Sequence, residues 1–363
     1  MRRSARMLVF TLVVGLSIPL WTVSAMAATT CSYDSGSKIL AISTTDDAFT
    51  FLDRQGSNIR VQTLDSGAVD VTCSGGTPTV NNTDNITIAG SSGANILYII
   101  TGGGRFTPGF INEAGSSDEI EIEVDLAGGS GDQMFLGDAP AGHAANVRAG
   151  TNGINMFAGE ATGKDADLTV ANVANIQLGG PFDTPNVISG AGGAGTGGPF
   201  PTPLDIRGAE GNDTLTGGAG NDHIDGGAGN DVIAGRAGGD SLRGGTGKDT
   251  VRYTGTSGAT VDLATGTASD DGSGAADFLQ SVENLMGGAN RDKLMGNSKV
   301  NRLIGGGGND RLVGRAHNDA ISGGTGNDVL LGSAGNDKLN GGRGVRDYCR
   351  GGTGTNVLRA CER

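Results

Sequence analysis

The chain is short of the side chains that fill ordinary cores. Among 363 residues there is one tryptophan, aromatics make up 4%, and histidines number three. Trp21 lies in a leader-like segment, so the rest of the chain has no indole to fill a large core or to stack on a sugar ring. Stability has to come from repetition, crosslinks or bound ions. Positive charge is scarce as well: 26 Lys and Arg face 39 Asp and Glu, a formal net charge of −13. Such a balance neutralises no phosphate backbone, which argues against nucleic acid as a partner and makes a cation the natural counterpart. Catalytic signatures are also missing. There is no HExxH, no GxSxG, no phosphate loop and no EF-hand loop, and His143, His223 and His317 stand too far apart in sequence to suggest a shared site.

Long apolar runs are absent too. The stretch "MLVFTLVVGLSIPLW" falls short of the roughly 20 residues that span a bilayer comfortably. With Arg2, Arg3 and Arg6 before it and Ala25-Met26-Ala27 after it, it reads as a secretory signal peptide over residues 1–27. The expected location is extracellular, with release rather than membrane insertion. Setting the three arginines aside takes the formal charge from −13 to −16. The four cysteines cluster two and two, which in an exported chain favours Cys31–Cys73 and Cys349–Cys361 among three possible connectivities. No CxxC spacing points to thiolate metal ligation.

What the chain has in excess is glycine, 68 residues of it. From residue 28 to about 188, short apolar runs such as "KILAI", "ITIA", "NILYII" and "EIEIEVDL" alternate with Gly, Ser, Asn and Asp. They predict a β-rich, irregular, solenoid-like N-terminal domain. Residues 189–204, "SGAGGAGTGGPFPTPL", read as a Gly/Pro-rich linker or loop. From Gly208 a nine-residue period sets in with "GAEGNDTLT", "GGAGNDHID" and "GGAGNDVIA", breaks over about 253–286, and resumes at Gly287. The fold class predicted is all-β, with a parallel β-roll over residues 205–363.

Each nonapeptide carries an apolar residue at position 8, such as Leu215, Ile224 and Ile233, between polar neighbours. That is a strand of about three residues with one inward side chain, which only stacking can bury. Glycines at positions 1, 2 and 4 allow positive φ and close backbone approach, and Asn at position 5 tolerates the left-handed region. Position 6 is aspartate: Asp213, Asp222, Asp231, Asp240 and Asp249 in the first block, then Asp292, Asp310, Asp319, Asp328 and Asp337 in the second. If two units make one turn, alternate aspartates stack about 4.8 Å apart and repel by roughly 3–4 kcal/mol. A hard divalent cation between turns would remove that repulsion, with backbone carbonyls completing the six to eight oxygens that Ca²⁺ takes.

The pattern GGxGxDxUx over residues 208–359 resembles the RTX, or haemolysin-type, calcium-binding repeats. The resemblance implies a parallel β-roll that binds Ca²⁺ in its turns, with the ten position-6 aspartates as side-chain ligands. Pairing unit i with i+2 then gives about six sites, Asp213/Asp231, Asp231/Asp249, Asp222/Asp240, Asp292/Asp310, Asp310/Asp328 and Asp319/Asp337. Departures from the pattern are Asn301 in place of Asp, His317 at position 4, Arg236 and Arg315 at position 2, and "GVRDYC", which shifts Asp347 out of register. Arg243, Arg252, Arg311 and Arg359 fall at outward positions, where they offset the acidic charge. The expected function is a non-catalytic, secreted calcium-binding protein with a structural, adhesive or matrix role, its polysaccharide or cell-surface partner unidentified. The competing readings are a β-helical carbohydrate-active lyase or epimerase with its site in 28–188, and a pore-forming toxin.

Overall fold

The computed structural model describes the strands and short flanking stretches between residues 29 and 179, then residues 186–362 except 192–197, 256, 270–274 and 345. Residues 1–28 lie outside the described set, and with them the expected leader; so does His143. The protein is all-β, as the nine-residue period predicts, and its named strands fall into two 16-stranded sheets. Among the described residues no helix is long and apolar enough to cross a membrane.

Successive nonapeptides feed alternate sheets. In one, strands Thr214–Thr216, Val232–Ala234 and Thr250–Arg252 stack in parallel, with Leu215, Ile233 and Val251 in register. In the other, Leu204–Arg207, His223–Ala228 and Ser241–Thr246 do the same through Ile206, Ile224 and Leu242. Neighbours within a sheet are therefore 18 residues apart, two units to a turn, and the roll runs for about eight turns over residues 205–359. The position-8 side chains point into the space between the sheets. Leu215, Ile224, Ile233, Leu294, Leu303, Leu312 and Leu330 are fully buried, each contributing about 1.5–3 kcal/mol. One apolar side chain per strand makes a thin core that closes only because the column continues above and below.

Strands exceed the three residues expected. In six consecutive strands, from Arg302–Gly307 to Tyr348–Thr353, pairing continues past position 9 into the glycines. In units such as those beginning at Gly226 and Gly323 the turn is built at positions 2 and 4, where φ is positive: Gly227 and Gly229 at 97° and 141°, Gly324 and Gly326 at 118° and 129°. Arg236, Arg315 and His317 take the same region, at 74°, 80° and 70°. These substitutions keep the local turn at a conformational cost that glycine avoids.

The interruption adds a hairpin to one turn. Thr260–Asp262, Thr267–Ser269 and Ala276–Gln280 form an antiparallel meander inside the second sheet, while Thr250–Arg252 pairs directly with Asn284–Met286 in the first. Upstream, the strand Glu121–Asp125 foreseen from "EIEIEVDL" pairs in parallel with Asn85–Ala89 and Leu168–Ala171. Both sheets run on into the roll through Val187–Ser189 and Asn175–Gly179, which pair with Thr214–Thr216 and Leu204–Arg207. In the 189–204 segment, the Phe200 N–H donates to Gly190 and the Phe200 ring is buried. Disulfides join Cys31 to Cys73 and Cys349 to Cys361, the pairing expected from their clustering.

Candidate metal centre

The position-6 aspartates form two internal columns, one along each sheet. All ten are at most 2% exposed. Within a column each carboxylate uses Oδ1 to accept the backbone N–H of the residue one turn earlier. The Asp213 N–H donates to Asp231 at 2.8 Å and that of Asp231 to Asp249 at 2.9 Å. In the other column Asp222 donates to Asp240, Asp292 to Asp310, and Asp310 to Asp328, each at 2.8 Å. In the column of Asp213, further along, Asp319 donates to Asp337 at 2.9 Å. The six pairs expected from the two-unit turn are all direct neighbours.

The second oxygen is the unusual feature. Oδ2 of Asp213, Asp231, Asp249, Asp310, Asp319, Asp328 and Asp337 is buried and has no hydrogen-bond partner. Each sits above the position-1 glycine of its own unit, where a Cβ would fill the space. Added to Gly226, that Cβ would strike both Asp231 Oδ2 and the Gly244 carbonyl one turn on; at Gly305 it would strike Asp310 Oδ2 and the Gly323 carbonyl. A carboxylate oxygen and a carbonyl oxygen thus converge on one small space, and position 1 must be glycine for either to be there. At Asp222 and Asp292 the arrangement differs, since Oδ2 accepts the N–H of Gly218 at 2.7 Å and of Gly288 at 2.9 Å.

Burial sets the electrostatics. It pushes Asp213, Asp222, Asp249 and Asp319 up to about 6 and Asp310 up to about 7, against an ordinary value of 3.8. Asp231, Asp292 and Asp328 are raised for the same reason, and hydrogen bonds from the backbone offset the shift in part. No three His, Cys, Asp or Glu side chains converge among the described residues. A cation held here would draw two carboxylates at most and take its other oxygens from carbonyls, the donor set of a hard ion such as Ca²⁺.

Several members of the columns escape a reading of the repeats alone. Asp347, expected out of register, is in the column: it is 2% exposed, and its Oδ1 accepts the Asp328 N–H at 2.9 Å over a spacing of 19 residues. The unit beginning at Gly341 has absorbed its extra residue in the turn. The interruption supplies Asp277, whose Oδ1 accepts the Asp240 N–H at 2.9 Å, and Glu283, which accepts the Asp249 N–H at 3.3 Å. Asn301 keeps its place, with its Oδ1 accepting from Asn297 and its amide donating to the Glu283 carbonyl at 2.8 Å.

Position-5 asparagines do something other than expected. None has positive φ among the described residues. Their side chains instead make an exposed ladder, Oδ1 of Asn212, Asn309 and Asn318 accepting the N–H of Asn230, Asn327 and Asn336 at 2.7–2.8 Å. The residue type suits a turn for its side-chain acceptor, not its backbone freedom. His223 points outward from its strand and His317 sits exposed in a turn.

Stacked turns with carboxylate columns and converging carbonyls define a repeat solenoid. Comparison with known families agrees: the RTX calcium-binding nonapeptide repeat matches four times, at residues 205–233, 230–253, 286–319 and 313–345. Residues 205–253 and 286–345 of the roll thus carry RTX calcium-binding nonapeptide repeats. No curated protein matches the chain.

Proposed function

We propose that the chain is a secreted, non-catalytic calcium-binding protein whose roll folds when it meets external calcium and then serves a structural or adhesive role. Asp213, Asp222, Asp231, Asp240, Asp249, Asp292, Asp310, Asp319, Asp328 and Asp337 are the side-chain ligands in this reading, in about six paired sites, with position-1 glycine carbonyls beside them. The observation that carries it is the set of seven buried Oδ2 atoms without a donor, six of which share their small space with a carbonyl oxygen. An unpartnered buried carboxylate oxygen is costly, and bound Ca²⁺ supplies the positive charge that would offset it. Calcium binding would thereby add directly to folding free energy. Two disulfides suit an oxidising, extracellular setting, where calcium reaches the about 10⁻⁴–10⁻³ M range of extracellular modules.

The test is a calcium titration of the full chain at neutral pH, followed by far-UV circular dichroism, with magnesium and chelator arms. A cooperative gain of β signal with calcium, reversed by chelator and not reproduced by magnesium, is the expected result. A spectrum already β-rich in chelator and indifferent to calcium would sink the reading.

A further inference from the structure

The acidity of the whole chain conceals a basic surface at its C-terminal end. Residues 286–362 hold eleven Lys and Arg and seven Asp and Glu. Six of those acids are the column residues Asp292, Asp310, Asp319, Asp328, Asp337 and Asp347, none more than 2% exposed. Glu362 is the one acid of the block on the outside. Of the cations, Lys299 is tied to Glu283 at 3.0 Å and Arg315 to Asp262 at 2.7 Å. The other nine are exposed, with no acidic partner among the described residues. Arg311 and Arg359, which sequence reading treats as offsetting the aspartates, are among them; the backbone stands between each and the column it was to balance.

On the second sheet the register gathers these charges into a strip. Lys293, Arg311, Val329 and Tyr348 follow one another on successive parallel strands, and Met295, Val313, Leu331 and Arg350 form the adjacent row. Lys293 stands directly opposite Arg311, a like-charge placement that destabilises a sheet unless an anion meets it. Both rows run along the roll axis for roughly 14 Å, three strand spacings of ~4.8 Å. Tyr348 is 52% exposed, and Met295, Val313 and Leu331 are half-buried between the charged ends.

We propose that this strip binds a linear acidic polysaccharide laid along the roll axis. Its carboxylates would meet Lys293 and Arg311 at one end and Arg350 at the other. The C–H faces of its sugar rings would lie on Tyr348 and the aliphatic row. Three cations spread beside an aliphatic row, on a chain with a formal net charge of −13, suit a sparsely charged polymer better than a phosphate backbone, and aliphatic side chains half-buried in the sheet offer no wedge for a bilayer. The proposal needs the register of the roll, not its metal, so it can fail while the calcium reading stands, and the reverse.

The experiment is isothermal titration of the full chain with hyaluronate in saturating calcium, at low and high salt, with neutral dextran as control. Expected are salt-sensitive hyaluronate binding, none to dextran, and an affinity at least about ten-fold weaker in K293E/R311E/R350E. The charge-matched variant R302E/K338E/R359E, on the opposite sheet, should change by less than about two-fold. Absence of hyaluronate binding, or equal losses in the two variants, would overturn the proposal. Tighter binding to oligo(dT) or to phosphatidylglycerol vesicles would overturn it in favour of those partners, and ligand-free self-association abolished by the same triple variant would assign the strip to a second copy. Circular dichroism verifies folding; if the charge reversal unfolds the chain, K293S/R311S carries the same test, with about a three-fold loss expected.

Discussion

The repeat blocks and the interruption between them face the same electrostatic problem with different means. In the blocks, Asp231 and Asp310 bury an oxygen that no donor reaches. At the interruption the Tyr253 hydroxyl donates to Asp277 Oδ2 at 3.0 Å and the ammonium of Lys299, from the repeat unit beginning at Gly296, meets Glu283 at 3.0 Å; in that same unit Asn301 replaces the acid by an amide. Nearby, Arg315 donates to the carbonyl of Gly296, a position-1 glycine, at 2.7 Å. The columns continue through both regions, but at the interruption protein groups stand where the blocks leave oxygens facing one another. A buried aspartate is therefore not by itself a call for an ion; a buried aspartate oxygen that no donor reaches is.

The strongest way to sharpen this comparison is pH in the absence of metal. Burial raises Asp213 to about 6 and Asp310 to about 7, above the ordinary 3.8, so the metal-free roll binds more protons than the unfolded chain across that interval. Its stability is fully present below the unfolded value and falls as pH rises through the folded ones. In chelator the roll is expected to be β-rich near pH 4 and to lose that signal by about pH 7.5, with calcium restoring it. Circular dichroism across the range checks this, and a metal-free roll that gains stability with pH would contradict it. Next in size is Gly226→Ala, whose methyl would strike Asp231 Oδ2 and the Gly244 carbonyl. Thermal unfolding in calcium should show a loss of roughly 3 kcal/mol.

A paired substitution tests the two regions against each other. Asp231→Asn keeps the Oδ1 acceptor and removes charge from two proposed sites, so equilibrium dialysis should find about two fewer calcium ions per chain. Asp277→Asn, within the interruption, should leave the calcium count unchanged while lowering the melting temperature. Equal losses of calcium would erase the distinction. Tyr253→Phe withdraws the hydroxyl that Asp277 accepts from, with an expected cost of about 1–3 kcal/mol by denaturant unfolding and no change in calcium stoichiometry. Arg243→Ala breaks an exposed pair with Asp225 at 3.4 Å and should shift stability by no more than about 0.5 kcal/mol.

Much of the roll is legible in the sequence because its grammar is short-range. Leu215 and Ile233 recur at a fixed interval between polar neighbours, so the inward position, the two-unit turn and the pairing of Asp213 with Asp231 follow from counting. Counting fails where a unit changes length. Asp347 sits in a ten-residue unit and drops out of the template, although backbone hydrogen bonding recovers it a turn later. Asp277 and Glu283 lie outside any glycine frame, and only the pairing of Thr250 with Asn284 shows that one long turn returns them to the columns. The asparagine ladder was hidden for another reason: backbone preference said where Asn is tolerated, while its side-chain oxygen decided its use. The basic strip needed the third dimension, since composition adds Asp310 and Arg311 to nothing and the roll puts one inside and the other out.

The two-unit turn also constrains how such a chain can change in length. Losing one nonapeptide would move every later residue to the opposite sheet, so Lys293 and Arg311 would trade faces with Arg302 and each aspartate would switch columns. Losing two would leave faces and columns as they were. Gains and losses of repeats should therefore be tolerated in quanta of eighteen residues, and odd steps should scramble the outer surface while leaving the core untouched.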